Sequence, residues 1–160
     1  MSQFCIYLKL EPYLRDWFIN DCGGGVPVHL RKGSAESDIL LCFLQKQPSS
    51  TPDLPSDEDV AIFIPTFKDK DPRVYNYLGA SGKRALKRCI KTRFDVELWR
   101  DLQKFAMFKG HLKQDLIYAW METHHIEINE TNWCAIDKCY YRKRRLYKKN
   151  IENNSPISFE

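Results

Sequence analysis

Residues 132–149 read NWCAIDKCYYRKRRLYKK, and the architecture of the second half of the chain turns on how this stretch folds. At helical spacing Trp133, Ile136, Tyr140 and Tyr147 fall near one side, with Cys139 and Leu146 beside them, while Lys138, Arg142, Arg145 and Lys149 repeat along another. The pattern predicts an amphipathic helix of about five turns, its apolar side buried and its seven Lys/Arg available to a polyanion. The plainer alternative is the last helix of a bundle with a solvated charged face.

Working outward, residues 112–124 present Leu112, Leu116, Ile117 and Trp120 at one-face spacing, and the polar connector Glu127–Thr131 joins this helix to the basic one. Two helices with a basic second member are the arrangement of a helix-turn-helix, although this connector is longer than the customary turn and lacks its small residue. The late position of Arg142, Arg144, Arg145, Lys148 and Lys149 suits phosphate contacts better than base reading. Further upstream, Phe94-Asp95 reads as a helix start, with Leu98, Trp99, Leu102, Phe105 and Ala106 continuing to a break at Lys109-Gly110. Before it, residues 83–93 form a second basic stripe containing Lys83, Arg84, Lys87, Arg88 and Lys91, with Ser81 as cap and Leu86 and Ile90 inward. Gly79–Arg84 is no phosphate loop, because Tyr77 and Arg84 stand where that motif needs glycine and a hydroxyl.

The first half alternates strand and helix signals. Phe4–Leu10 and Val60–Pro65 read as strands, and Val26–Leu30 as a strand placed at an edge by Pro27. Pro12 opens a short helix that Gly23-Gly24-Gly25 ends, and Ser34 caps another over Ile39–Leu44. Arg31, Lys32 and the helix start at Ser34 are read as a simple capped turn rather than a phosphate site. Residues 47–59, with Leu54 their one periodic apolar residue, read as a loop, as does the turn-rich segment 66–82, whose Tyr75 and Tyr77 beside Lys68, Lys70 and Arg73 suit a base-stacking loop but read better as pins to the core. The expected fold class is α+β. A three-stranded sheet with two helices fills residues 1–66, 67–82 connect, a helix-turn-helix-like four-helix bundle fills 83–150, and 151–160 form a flexible tail unless Ile157 and Phe159 dock.

Composition narrows the function. Residues 1–70 hold seven Lys/Arg against ten Asp/Glu (net −3) and residues 71–160 eighteen against eleven (net +7), an asymmetry that points to one half for nucleic acid or another anionic surface. No apolar run is long enough for a membrane span, the start MSQFCIYLKLEPYL lacks the marks of a leader, and the six scattered cysteines read as free thiols, so a cytoplasmic protein is expected. His29 and His111 are single. His124 and His125 precede Cys134 and Cys139, but cysteines five apart on a helix point about 140° apart, so no metal and no cofactor is expected. Gly-x-Ser-x-Gly, His-Glu-x-x-His and acid-pair motifs are missing, and a tyrosine nucleophile at Tyr140 or Tyr141 has no recognisable histidine–arginine set, so catalysis is not expected.

The pattern running from YLKLEPYLRDWF through KDPRVYNYL, LWRDLQKF and IYAWME to NWCAIDKCYYRKRRLY resembles uncharacterised small basic proteins of bacterial prophages and mobile elements. The resemblance implies a part in an element's DNA transactions or in virion assembly, and it carries no site residues. The expectation is a non-catalytic nucleic-acid-binding protein, DNA ahead of RNA, with no membrane partner. Lys83, Arg84, Lys87, Arg88, Lys91, Lys138, Arg142, Arg144, Arg145, Lys148 and Lys149 would meet phosphates, and Tyr141 the backbone or a base. The alternative is an interaction or assembly protein, a homo-oligomer whose subunit interface is Trp133, Tyr140 and Tyr147.

Overall fold

The computed structural model describes residues 4–49, 55–106, 110 and 112–154. The expectations for Leu54, Lys109, His111, Ile157 and Phe159 lie outside these residues, as do those for the side chains of Phe105 and Ala106. The chain forms two compact units, Met1–Arg93 and Phe94–Glu160. In order, the elements are β1 (Cys5–Lys9), α1 (Pro12–Asp21), α2 (Ala35–Phe43), β2 (Leu44–Lys46), β3 (Asp59–Phe63), β4 (Tyr75–Leu78), α3 (Ala80–Ala106), α4 (Lys113–Thr123) and α5 (Glu130–Asn154). The class is α+β, and among the described residues no helix is long and apolar enough to cross a membrane.

In the first unit β1 pairs antiparallel with β3, in a register that sets Ile6 opposite Ile62 and Leu8 opposite Val60. All four are buried, as the alternation of their strands requires. The expected third strand is reduced to one residue. Val28 donates to Ala61 O (2.8 Å) and accepts from Phe63 N–H (2.9 Å) in a parallel bridge on β3, while Pro27 beside it has no N–H to extend the ladder. A second small sheet was not expected: β2 and β4 pair antiparallel, Leu44 opposite Leu78. The segment 66–82 is therefore more than a connector, and the tyrosines that hold it are half-buried strand residues.

Helix ends follow local chemistry. α1 has Pro12 in its first turn and ends towards Gly23 and Gly24, both at positive φ. The Ser34 hydroxyl caps α2 by accepting from Ser37 N–H at 3.2 Å, as expected. At the other end of α2 the Lys70 ammonium donates to the carbonyls of Leu41 (2.5 Å) and Leu44 (2.9 Å), so this lysine of the aromatic segment serves as a cap.

The two helices expected over 83–106 are one. Leu86, Ile90, Phe94, Leu98 and Leu102 recur every fourth residue and are all buried, so one stripe runs through the supposed start at Asp95. Ser81 then lies inside α3 rather than capping it. The basic half of the chain thus has three helices among the described residues where four were expected. In the second unit Phe94 meets Trp120 edge-on at 5.5 Å, and α4 packs on α5. α4 stops where His125 takes positive φ (52°) and Ile126 N–H bonds back to Met121 O at 2.9 Å. α5 starts where the Asn129 side chain accepts from Asn132 N–H at 2.8 Å. It continues to Asn154, so residues 151–154 are helical, not tail.

Candidate nucleic-acid interface

Two basic faces follow from these helices, one in each unit. On α3, Lys83, Arg84 and Arg88 are exposed, whereas Lys87 and Lys91 are half-buried. Lys87 Nζ pairs with Glu11 Oε1 at 3.2 Å, and Lys91 Nζ stands 5.9 Å from the centre of the Tyr13 ring. Burial pushes the Glu11 carboxyl up, but its own backbone hydrogen bond and the Lys87 ammonium outweigh that and hold it below the usual value. Arg84 reaches back to the Ser81 hydroxyl at 3.4 Å.

Arg93, two residues after Lys91, is held by partners within its own unit. Its guanidinium lies 2.8 Å from Asp21 Oδ2 and 2.9 Å from Glu36 Oε1, with the Trp17 ring 5.1 Å away. The N–H groups are off line from those oxygens, so the attraction is ionic more than a directed hydrogen bond. Glu36 is buried, and without this partner its charge would be uncompensated. Nearby, burial pushes the Cys22 thiol up, reinforced by Asp21, and burial with Glu36 does the same to Cys89.

On α5 the packed side contains Asn132, Ile136 and Cys139, all buried, and Tyr140 and Tyr147, whose rings each lie 5.5 Å from Trp99. Trp133 faces Tyr118 at 6.1 Å. Leu146, expected beside this stripe, is 57% exposed, because it sits at the edge of the packed arc. Lys138, Arg142, Arg145 and Lys149 share an arc of about 60° on the opposite side, flanked over about 100° more by Tyr141, Lys148 and Arg144. All seven side chains are exposed. Arg142 Nη2 lies 3.6 Å from Cys139 Sγ and its Nε donates to Lys138 O at 3.3 Å, so at rest it folds along the helix. Lys138, Tyr141, Arg142 and Asp137 border an open hollow of about 550 Å³, and Asp137 is neutralised by Lys113 at 2.7 Å.

The structure also joins residues that sequence reading kept apart. Glu97 and Asp101, one turn apart on α3, converge on His124 at the end of α4. In sequence His124 stands near Cys134 and Cys139, not near these acids. The i, i+4 spacing of the two acids was the available signal, and it does not say which distant side chain they face. In the first unit, Phe4, Phe63, Phe67, Lys68 and Arg73 border a hollow of about 750 Å³. Comparison of the chain with protein-family models, curated proteins and solved structures finds no match.

Proposed function

We propose that this chain is a non-catalytic nucleic-acid-binding protein of a phage or mobile element, DNA ahead of RNA, holding phosphates with the basic faces of α3 and α5. One observation carries the reading. From Lys138 to Lys149 the helix has seven Lys/Arg and no acid, and among the described residues no carboxylate pairs with them. Exposed like charges at this density repel one another, and a row of phosphates relieves that repulsion while releasing condensed counterions. Tyr141, 59% exposed among them, would stack on a base or bond to the backbone.

Fluorescence anisotropy with random duplex and single-stranded DNA over a salt series tests it. The expected result is a log–log slope of several units, at about 0.9 per phosphate contact on duplex. Absence of binding at low salt would overturn it in favour of a second reading, an interaction or assembly protein. Of the interface expected for that reading, Trp133 and Tyr140 pack within the chain against Tyr118 and Trp99, and Tyr147 remains about half exposed near the end of α5 with Leu146 and Ile151. Light scattering separates the two: a discrete homo-oligomer that protects Tyr147 from solvent favours the second.

A further inference from the structure

His124 is held in place from several directions. Its ring lies against Trp120, centroids 4.1 Å apart, and the Trp120 indole N–H donates to Asp101 Oδ2 at 3.2 Å. Arg100 Nε stands 3.3 Å from Asp101 Oδ1. Between these supports, His124 Nδ1 faces Glu97 Oε1 at 3.7 Å and Nε2 faces Asp101 Oδ2 at 3.8 Å. One ligand atom from each of the three side chains can be chosen so that all lie within 4.8 Å of one another.

Those separations argue for a shared guest. A protonated imidazole between two carboxylates is drawn to about 2.7–2.9 Å by charge-assisted hydrogen bonds, and neither contact reaches that range. Two ligands of one small divalent ion, each bonded at about 2.1 Å, stand about 3.0–3.6 Å apart for ordinary coordination angles. A single ion takes one of the two imidazole nitrogens, so the carboxylate facing the other nitrogen has to rotate towards it from within the 4.8 Å that spans the three ligand atoms. The field also calls for a cation: two carboxylates, one offset by Arg100, lie at the carbonyl end of α4, where the helix dipole is negative.

We propose that Glu97, Asp101 and His124 form a binding site for a divalent transition-metal ion of the zinc type, fastening the second half of α3 to the end of α4. One imidazole with two carboxylates suits zinc, cobalt or nickel, where magnesium and calcium prefer oxygen alone and copper(I) needs sulfur. The side chains are 15–22% exposed, so water reaches the remaining coordination positions. Trp120 and Arg100 orient the Asp101 carboxylate from outside the coordination shell.

Cobalt(II) titration of the full chain, followed by visible absorption and by thermal unfolding, tests the site while discounting its six cysteines. The expected result is one ion per chain, with d–d bands, no thiolate charge-transfer band and displacement by zinc. Glu97→Gln and Asp101→Asn keep side-chain shape, and each lowers affinity at least about tenfold and removes the metal-dependent rise in Tm. Circular dichroism of the metal-free variants confirms that they fold, with His124→Ala as a further variant. The proposal is overturned if the wild type takes up no cobalt in the micromolar range, if thiolate bands dominate, or if the folded variants bind as tightly as the wild type.

Discussion

The basic stretches of α3 and α5 look alike as sequence and differ as structure. On α3, Arg93 is clamped by Asp21 and Glu36, Lys87 is paired with Glu11, and Lys91 lies beside Tyr13. On α5, the cations from Lys138 to Lys149 have no carboxylate partner among the described residues. Charge density along a helix therefore measures potential for an anion only after the charges spent within the fold are subtracted. The α3 stretch is partly framework, and α5 is where the positive field reaches solvent.

The contrast is open to attack on several fronts. The largest expected effect is that of Arg93→Ala, which leaves Glu36 buried and unpaired. Because Arg93 itself is about a third exposed, a loss of about 2–3 kcal/mol is expected in urea unfolding, below the full range for a broken buried pair. Replacing Arg142, Arg144 and Arg145 together by Ala should do the reverse. Urea stability stays within about 0.5 kcal/mol, while DNA affinity falls about tenfold or more and the salt slope loses about 2–3 units. A stability loss with unchanged affinity would invert the comparison.

Gly82→Ala tests how closely the start of α3 is packed. A Cβ there would lie 2.8 Å from Phe43 Cβ and 2.5 Å from Leu78 Cδ1. The clash should outweigh the better helix propensity of alanine and cost about 1–2 kcal/mol by thermal unfolding. Lys87→Ala has the smallest effect, a few tenths of a kcal/mol at neutral pH. Glu11 is held below its ordinary value of 4.5, so the pair stabilises the fold above that pH and the benefit fades as pH falls through the depressed value. The wild-type advantage over Lys87→Ala should shrink over that acid window, and an advantage independent of pH would dissociate the lysine from Glu11.

What was legible in the sequence was what local pattern decides. The alternation in Phe4–Leu10 and Val60–Pro65 gave β1 and β3, Ser34 marked α2, and the spacing of Ile136, Cys139 and Tyr140 marked the packed side of α5. The misses are places where partners decide. Phe94-Asp95 looked like a helix start because Asp is a good cap, but the buried stripe from Leu86 to Leu102 holds α3 unbroken. β2 is three residues long and follows α2 without a turn residue, so only its pairing with β4 makes it a strand. The same limit applies to side chains: Lys138 through Lys149 could be listed from sequence, whereas the meeting of Glu97, Asp101 and His124 needed a fold.

The uninterrupted course of α5 also works as a ruler. From Lys138 to Lys149 a helix advances about 17 Å, and a duplex laid alongside it passes about five base pairs over that distance at about 3.4 Å each. Under the proposed function, contacts over that span would be made through phosphates alone. On that reading many chains could coat a duplex at any register, with coverage set by protein concentration and ionic strength rather than by the order of bases.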